Sequence, residues 1–235
     1  MQIKLSNRLL AVSQMVIPGK PAADIGADHG YLAVYLIING ICPSVIATDR
    51  VRGPLSAASQ LVDLLKLEQQ IHIRLGDGLQ ALHENEVATI CVAGMGGLTI
   101  KSILENSPDI LATTQRLVLQ PQSNISVLRR YLAESGWKIV DEDIAHDSGF
   151  YYEIMAAEKG EMQLSQDQAE FGPILLQKAH PMLRSYLEQK QEDLISLMAG
   201  LSTSVGEAVE ARRKELGQAA QRIDHILASL PLTNE

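Results

Sequence analysis

The chain has 235 residues, of which 46% are apolar and 4% aromatic, and its 20 basic and 28 acidic side chains give a formal charge of −8. That length fits one large domain or a domain with an appendage, and the apolar fraction excludes a disordered chain. The longest apolar runs, such as Ala33 to Ile38, are far short of the roughly 20 residues of a membrane span. The first residues hold Lys4 and Arg8 but no apolar leader or cleavage site, so a cytoplasmic protein is expected.

With aromatics scarce, the core must be built from Leu, Ile, Val and Ala. Cys42 and Cys91 are the only cysteines and are expected to be reduced and packed, as is usual without a secretory signal. The net charge disfavours phosphate-rich partners overall. Within the first sixty residues the balance reverses: Lys4, Arg8, Lys20, Arg50 and Arg52 face only Asp24, Asp28 and Asp49.

Leu5, Leu9, Leu10, Val12 and Val16 have helical spacing, which Pro18-Gly19 ends. Then a strand–helix rhythm begins. Ala22–Ile25 is a short apolar run broken by Gly26-Ala27-Asp28-His29-Gly30, and a helix follows from Tyr31 to Asn39. Ser44–Thr48 is a second strand, ending at Asp49; Pro54–Leu67 is helical, with proline near its first turn. Ile71–Leu75 alternates as a third strand before Gly76-Asp77-Gly78. Val87–Ala93 is continuously apolar, as in a strand buried on both faces. It ends at Gly94-Met95-Gly96-Gly97, ahead of a helix over Leu98–Glu105.

Arg116–Leu119 is a fifth strand, followed by Gln120-Pro121-Gln122-Ser123-Asn124 and a helix over Ile125–Ser135. Trp137–Asp143 and Tyr151–Ala157 are two more strands with no room for a helix between them, so they must pair as an antiparallel hairpin. The fold expected over residues 1–160 is therefore a doubly wound, Rossmann-like α/β domain with a mostly parallel sheet and a terminal hairpin. Residues 161–235 change character. Leu187, Leu194 and Leu201 recur at seven-residue intervals, as do Met198 and Val205, and Val209, Leu216, Ile223 and Leu230. This predicts an antiparallel coiled-coil hairpin turning at Ser202–Gly206.

Ligands of open α/β sheets bind outside the C-terminal strand ends, where strand order reverses. The first such loop, Asp24 to Gly30, has Gly26 and Gly30 for tight turning and a helix N-terminus behind it. A dinucleotide site would place glycine against a pyrophosphate. Here Asp24 and Asp28 would repel two phosphates and suit a ligand carrying an ammonium or sulfonium group. Asp49, with Arg50 beside it, ends the second strand, where a carboxylate accepts from the vicinal hydroxyls of a ribose. Asp77-Gly78 ends the third and can accept from an adenine amino group, and Gly94–Gly97 leaves bare backbone by the transferable group. Each piece alone is also a helix cap or a turn; the three carboxylates at successive strand ends together indicate S-adenosylmethionine.

The motifs Asp24–Leu32, Ala47-Thr48-Asp49-Arg50, Gly76-Asp77-Gly78-Leu79, Val92–Gly97 and Leu119–Asn124 resemble the bacterial tRNA adenine-N1 methyltransferase family that modifies position 22 of tRNA. The resemblance covers the whole chain and implies a class I methyltransferase domain followed by a C-terminal helical coiled coil. Asp28 stands where methyltransferases often have a third glycine, and Gly94–Gly97 replaces the Asn/Asp-Pro-Pro-Tyr/Phe tetrapeptide that holds an exocyclic nitrogen. That difference argues against N6 as the acceptor and is compatible with a ring nitrogen.

The resemblance implies methyl transfer to adenine N1 in tRNA, with S-adenosylmethionine held by Asp24, Gly26, Gly30, Asp49, Arg50, Asp77, Gly78 and Gly94. His29, Asp28 and Asn124 are the candidate catalytic residues, although His29 also reads as a surface-loop histidine and Asn124 as a helix cap. Tyr31 and Phe150-Tyr151-Tyr152 are candidates to stack an extruded base; an aromatic triplet at a strand start is more often core. His72, His83, His180 and His225 lack metal-ligand spacing, so no metal or membrane partner is expected, and the oligomeric state stays open. A small-molecule or protein methyltransferase and a non-catalytic S-adenosylmethionine- or RNA-binding scaffold are the competing functions.

Overall fold

In the computed structural model, residues 3–201 and 206–231 are described. They run α1 (Asn7–Gln14), β1 (Ala22–Ile25), α2 (Tyr31–Ile38), β2 (Val45–Asp49), α3 (Arg52–Leu65), β3 (Ile71–Leu75), a 3₁₀ turn (Gly78–Ala81), β4 (Thr89–Met95), α4 (Gly97–Glu105), α5 (Pro108–Thr113), β5 (Arg116–Pro121), α6 (Ile125–Glu134), β6 (Trp137–Asp147), β7 (Phe150–Lys159), α7 (Gln166–Phe171), α8 (Pro173–Gln177), α9 (Leu183–Gly200) and α10 (Glu207–Ser229). The seven strands form one sheet in the order β3-β2-β1-β4-β5-β7-β6. All pairings from β3 across to β5 are parallel, and β7 is antiparallel to both β5 and β6. The expected parallel sheet with a closing hairpin is what forms.

Alternation along the strands explains the layering. Ala22, Val45, Ala47, Cys91 and Val118 join one apolar cluster with residues of α1, α2 and α3. Their neighbours Ala23, Ile46, Ile90, Val92, Leu117 and Leu119 join a second cluster with α4, α5 and α6. The four inner strands β1, β2, β4 and β5 thus bury both faces, which is why they read as largely apolar runs, whereas β3 at the edge alternates. Both cysteines are free and buried. The chain moves outward from β1 through β2 to β3, then returns to lay β4 on the other side of β1. The strand order therefore reverses between β1 and β4, where a ligand crevice opens in such sheets.

Contacts divide the chain into two units, residues 1–174 and 175–235. Residues 161–174, read from sequence as part of the helical tail, group with the sheet. The cause is Arg129 of α6, fully buried, which donates to Glu142 at 2.8 Å, to Glu153, and to the backbone carbonyls of Ala169 and Glu170. Glu142 also accepts from the Ile174 N–H at 2.8 Å. A buried cation needs such partners, and some of them come from beyond residue 160.

In the second unit α9 and α10 run antiparallel. Arg184 near the start of α9 donates to the carbonyls of Leu227 and Leu230, Gln191 to Asp224, and Arg213 back to the Leu201 carbonyl. Of the seven-spaced residues, Leu187, Leu216 and Ile223 are buried, and Leu194, Met198, Leu201, Val209 and Leu230 are half-buried. Val205 and most of the expected turn lie outside the described residues.

Candidate active site

Asp24 is the third residue of β1, and only 5% of its surface is exposed. Burial pushes its carboxyl up to about 7; the charge of Asp49 adds to the shift, and a hydrogen bond from the Ala33 backbone opposes it. No basic side chain among the described residues pairs with it. The chain then turns through Gly26 (φ 72°) and Asp28 (φ 51°), both left-handed. Gly26 and Ala27 donate their N–H groups to the Thr48 carbonyl. A Cβ at Gly26 would fall 2.3 Å from the Met95 methyl, the movable end of a flexible side chain, so it is the left-handed backbone more than the contact that calls for glycine here.

Asp49, last in β2, is fixed by backbone on both sides. One oxygen accepts from the Asp28 N–H at 3.2 Å and the other from the Val51 N–H at 2.8 Å. Each oxygen retains a lone pair, which suits the two hydroxyls of a ribose. At the end of β4 the register shifts at Gly94 (φ 80°), whose N–H donates to Gln120 Oε1 at 3.0 Å. Gly97 is packed from the other side: a Cβ there would lie 2.6 Å from the carbonyl oxygens of both Ser123 and Asn124. Its N–H donates to the Ser123 carbonyl at 2.7 Å, and the Gln122 N–H to the Met95 carbonyl at 2.9 Å. The glycine run and the loop after β5 are thereby locked together.

Two cavities open on these loops. The larger, about 740 Å³, is lined by Gly26, Asp49, Arg50, Asp77, Gly78 and Gly94 among others. The smaller, about 250 Å³, is lined by Arg8, Asp24, Gly26, Asp28, His29, Tyr31, Gly94 and Gln122 among others. They share Gly26, Ala93 and Gly94. The larger lies within the usual range of small-molecule sites, about 300–1,000 Å³. Its wall also holds the Thr48 hydroxyl, which is buried and without a hydrogen-bond partner.

Most of the expected site residues line one or both of these spaces; Gly30 and Asn124 line neither. Gly30 (φ 72°) starts α2 and lets it approach α3, since a Cβ would sit 3.1 Å from that of Ala58. Asn124 turns its exposed side chain to Ser123 Oγ at 3.3 Å and makes no cap bond. Its backbone oxygen, not its amide, meets Gly97. His29 is half exposed, with Nε2 at 3.6 Å from the Asp28 carboxylate and its ring 5.9 Å from that of Tyr31. The aromatic triplet divides: Phe150 is 66% exposed at the tip of the β6–β7 hairpin, Tyr151 is half-buried beside the His146 ring, and Tyr152 packs half-buried against the core. Among the described residues no three His, Cys, Asp or Glu side chains are grouped to hold a metal ion.

Sequence reasoning did not find Arg8, Gln120 and Gln122 as site residues. Arg8 Nη1 donates to Gln120 Oε1 at 2.7 Å, the same oxygen that accepts from Gly94, and its guanidinium lies 5.6 Å from the centre of the Tyr152 ring. The signal available was the basic excess around Arg8, with nothing local to tie it to a loop over a hundred residues on.

Residues 22–226 match the sequence model of the tRNA (adenine(22)-N(1))-methyltransferase family, TrmK. The chain belongs to this family. The tRNA (adenine(22)-N(1))-methyltransferase of Bacillus subtilis is 31% identical over 95% of both chains. The crystal structure of the B. subtilis m1A22 tRNA methyltransferase TrmK superposes with a TM-score of 0.86 at 30% identity, covering 96% of this chain and all of that one. The Streptococcus pneumoniae Sp1610 protein in complex with S-adenosyl-L-methionine gives 0.87 at 34% identity, covering 95% and 100%.

For a tRNA (adenine(22)-N(1))-methyltransferase the residues in place fit the cofactor. S-adenosylmethionine is an adenosine and a charged amino-acid tail joined at one sulfur. The two cavities are a larger space with Asp49 and Asp77 and a smaller one with a buried carboxylate, and they share Gly26, Ala93 and Gly94 as a common wall.

Proposed function

We propose that this chain, a tRNA (adenine-N1)-methyltransferase that uses S-adenosylmethionine, seats the cofactor across both cavities and presents adenine 22 of tRNA at the rim formed by Asp28, His29, Tyr31 and Gln122. The observation that carries this reading is the meeting of the two cavities at Gly26, Ala93 and Gly94. Bound there, the cofactor supplies an electrophilic methyl group on a sulfonium.

The chain's own residues supply position. Asp49 accepts from the ribose hydroxyls, Asp77 from the adenine amino group of the cofactor, and Asp24 takes the ammonium of its tail. Adenine N1 carries an in-plane lone pair at neutral pH, so no group need deprotonate it before attack. In-line placement, which can contribute about 7–11 kcal/mol, is the main demand. The methylated base is cationic, and the exposed Asp28 carboxylate at the rim offsets that charge. N1 lies on the pairing edge, so a paired adenine must leave its stack at a cost of a few kcal/mol. Tyr31, also exposed, stacks on the extruded base.

A soluble cytoplasmic enzyme agrees with this substrate; no described helix is long and apolar enough to cross a membrane. The test is methyl transfer to undermethylated tRNA followed by nuclease digestion and mass spectrometry. 1-Methyladenosine is expected. Cofactor binding without transfer would favour a scaffold instead.

A further inference from the structure

Three side-chain amides lie between the end of β5 and the start of α6, and two of them are committed. Gln120, buried, accepts at its oxygen from Arg8 Nη1 and the Gly94 N–H and donates from its nitrogen to the Pro121 carbonyl. Asn124 donates to Ser123 Oγ. Gln122 stands between them, exposed, and its carboxamide has no hydrogen-bond partner among the described residues. Its main chain is nevertheless fixed. The Gln122 N–H donates to the Met95 carbonyl at 2.9 Å, and the carbonyl of the next residue, Ser123, accepts from the Gly97 N–H at 2.7 Å. A held backbone thus carries an amide whose donor and acceptor are both unspent.

Gln122 lines the smaller cavity together with Asp28, His29 and Tyr31. Its Nε2 would lie 3.9 Å from a Cβ at Gly94, a residue that both cavities share. The amide therefore stands beside the wall where the cofactor reading puts the sulfonium. A base whose N1 is aimed at that wall brings the edge next to N1 within reach of Gln122.

We propose that Gln122 reads the Hoogsteen edge of adenine 22, its oxygen accepting from the N6 amino group and its nitrogen donating to N7. This rests on the methyltransferase reading above and assigns the residue that selects the base. A carboxamide matches that edge of adenine with two hydrogen bonds, and N1, on the other side of N6, stays clear for in-line attack. Guanine presents O6 in place of the amino group, so the carboxamide oxygen would face a second acceptor. A pyrimidine has no N7. Gln122 thus determines specificity by touching the substrate, and it moves no proton.

The experiment compares kcat/KM on tRNA carrying adenine at position 22 with the same tRNA carrying 7-deazaadenine, which keeps N1 and the amino group but lacks the N7 acceptor. The wild type is expected to lose about tenfold on the analogue, where one hydrogen bond is gone and a donor is left unpaired. Gln122→Ala should fall by about tenfold or more on the adenine tRNA and lose nothing further on the analogue. Gln122→Glu, which keeps the acceptor and gives up the donor, should be equally blind to N7 and serves if the alanine variant does not fold. The same penalty in wild type and variants, or none in the wild type, would overturn the assignment. Calorimetry should show unchanged S-adenosylhomocysteine affinity in Gln122→Ala; a loss there would place the amide on the cofactor and overturn it as well. Failure of the wild type to methylate the adenine tRNA at all would defeat the functional reading and this inference with it.

Discussion

The backbone N–H of Asp28 donates to the carboxylate of Asp49 at 3.2 Å, tying the loop after β1 to the end of β2. The bond fixes one carboxylate through the main chain of the residue bearing another, so the two acidic loops hold their spacing. Asp49→Ala should weaken S-adenosylhomocysteine binding by about tenfold or more, because a hydrogen bond to a charged group contributes about 1.5–3 kcal/mol. Calorimetry checks this, and unchanged affinity would remove the ribose assignment.

Asp24 sets a pH dependence. Its folded-state carboxyl sits at about 7 against an ordinary 3.8, chiefly through burial. Between those values the folded chain keeps a proton that the unfolded chain releases, so this residue lowers stability as pH rises through that window. Binding runs the other way, since an ammonium requires the ionised carboxylate. S-adenosylhomocysteine affinity should rise with pH up to about 7 and level off above it. Below that point binding should release a proton, seen as a buffer-dependent heat. Asp24→Asn should abolish both effects.

Gly97 is expected to be intolerant for a packing reason. An added Cβ meets two backbone oxygens at 2.6 Å, and backbone yields less readily than a side-chain tip. Gly97→Ala should lower unfolding free energy by about 1–3 kcal/mol in urea titration. Gly40→Ala is the comparison: its φ of 64° strains an alanine, but nothing lies within 4 Å of the added carbon.

Much of the frame was legible from two strand patterns. Ala22–Ile25, fully buried, reads as an apolar run, and Ile71–Leu75 at the sheet edge alternates; both were located to the residue. The 3₁₀ turn at Gly78–Ala81 and α5 escaped because four and six residues are too short to show a helical period. The acidic strand ends could be read in order, since topology places such loops at one edge. Arg8 could not: it reaches the site by a side-chain bond to Gln120, 112 positions away. Asn124 was read from its place in the motif, but its left-handed backbone (φ 52°) presents the carbonyl, not the amide, to the glycine run. Residues 161–174 looked like tail because the buried charge of Arg129 that claims them leaves no local pattern.

Phe150 is 66% exposed at a hairpin tip that α1 pins in place, with Asn7 Nδ2 donating to the His146 carbonyl at 3.0 Å. Base–aromatic stacking contributes about 1–3 kcal/mol, so Phe150→Ala should raise the KM for tRNA by about fivefold or more. Affinity for S-adenosylhomocysteine should not change. An unaltered KM would mean that the tip stays clear of the RNA.

The most direct test of the whole account is to supply methyl-labelled S-adenosylmethionine with an unmodified tRNA transcript and with the same transcript carrying guanine at position 22. The account predicts labelled 1-methyladenosine from the first, none from the second, and little from the first with the Asp49→Ala enzyme. Label that stays out of the first transcript, or that appears on another atom or another position, would contradict it.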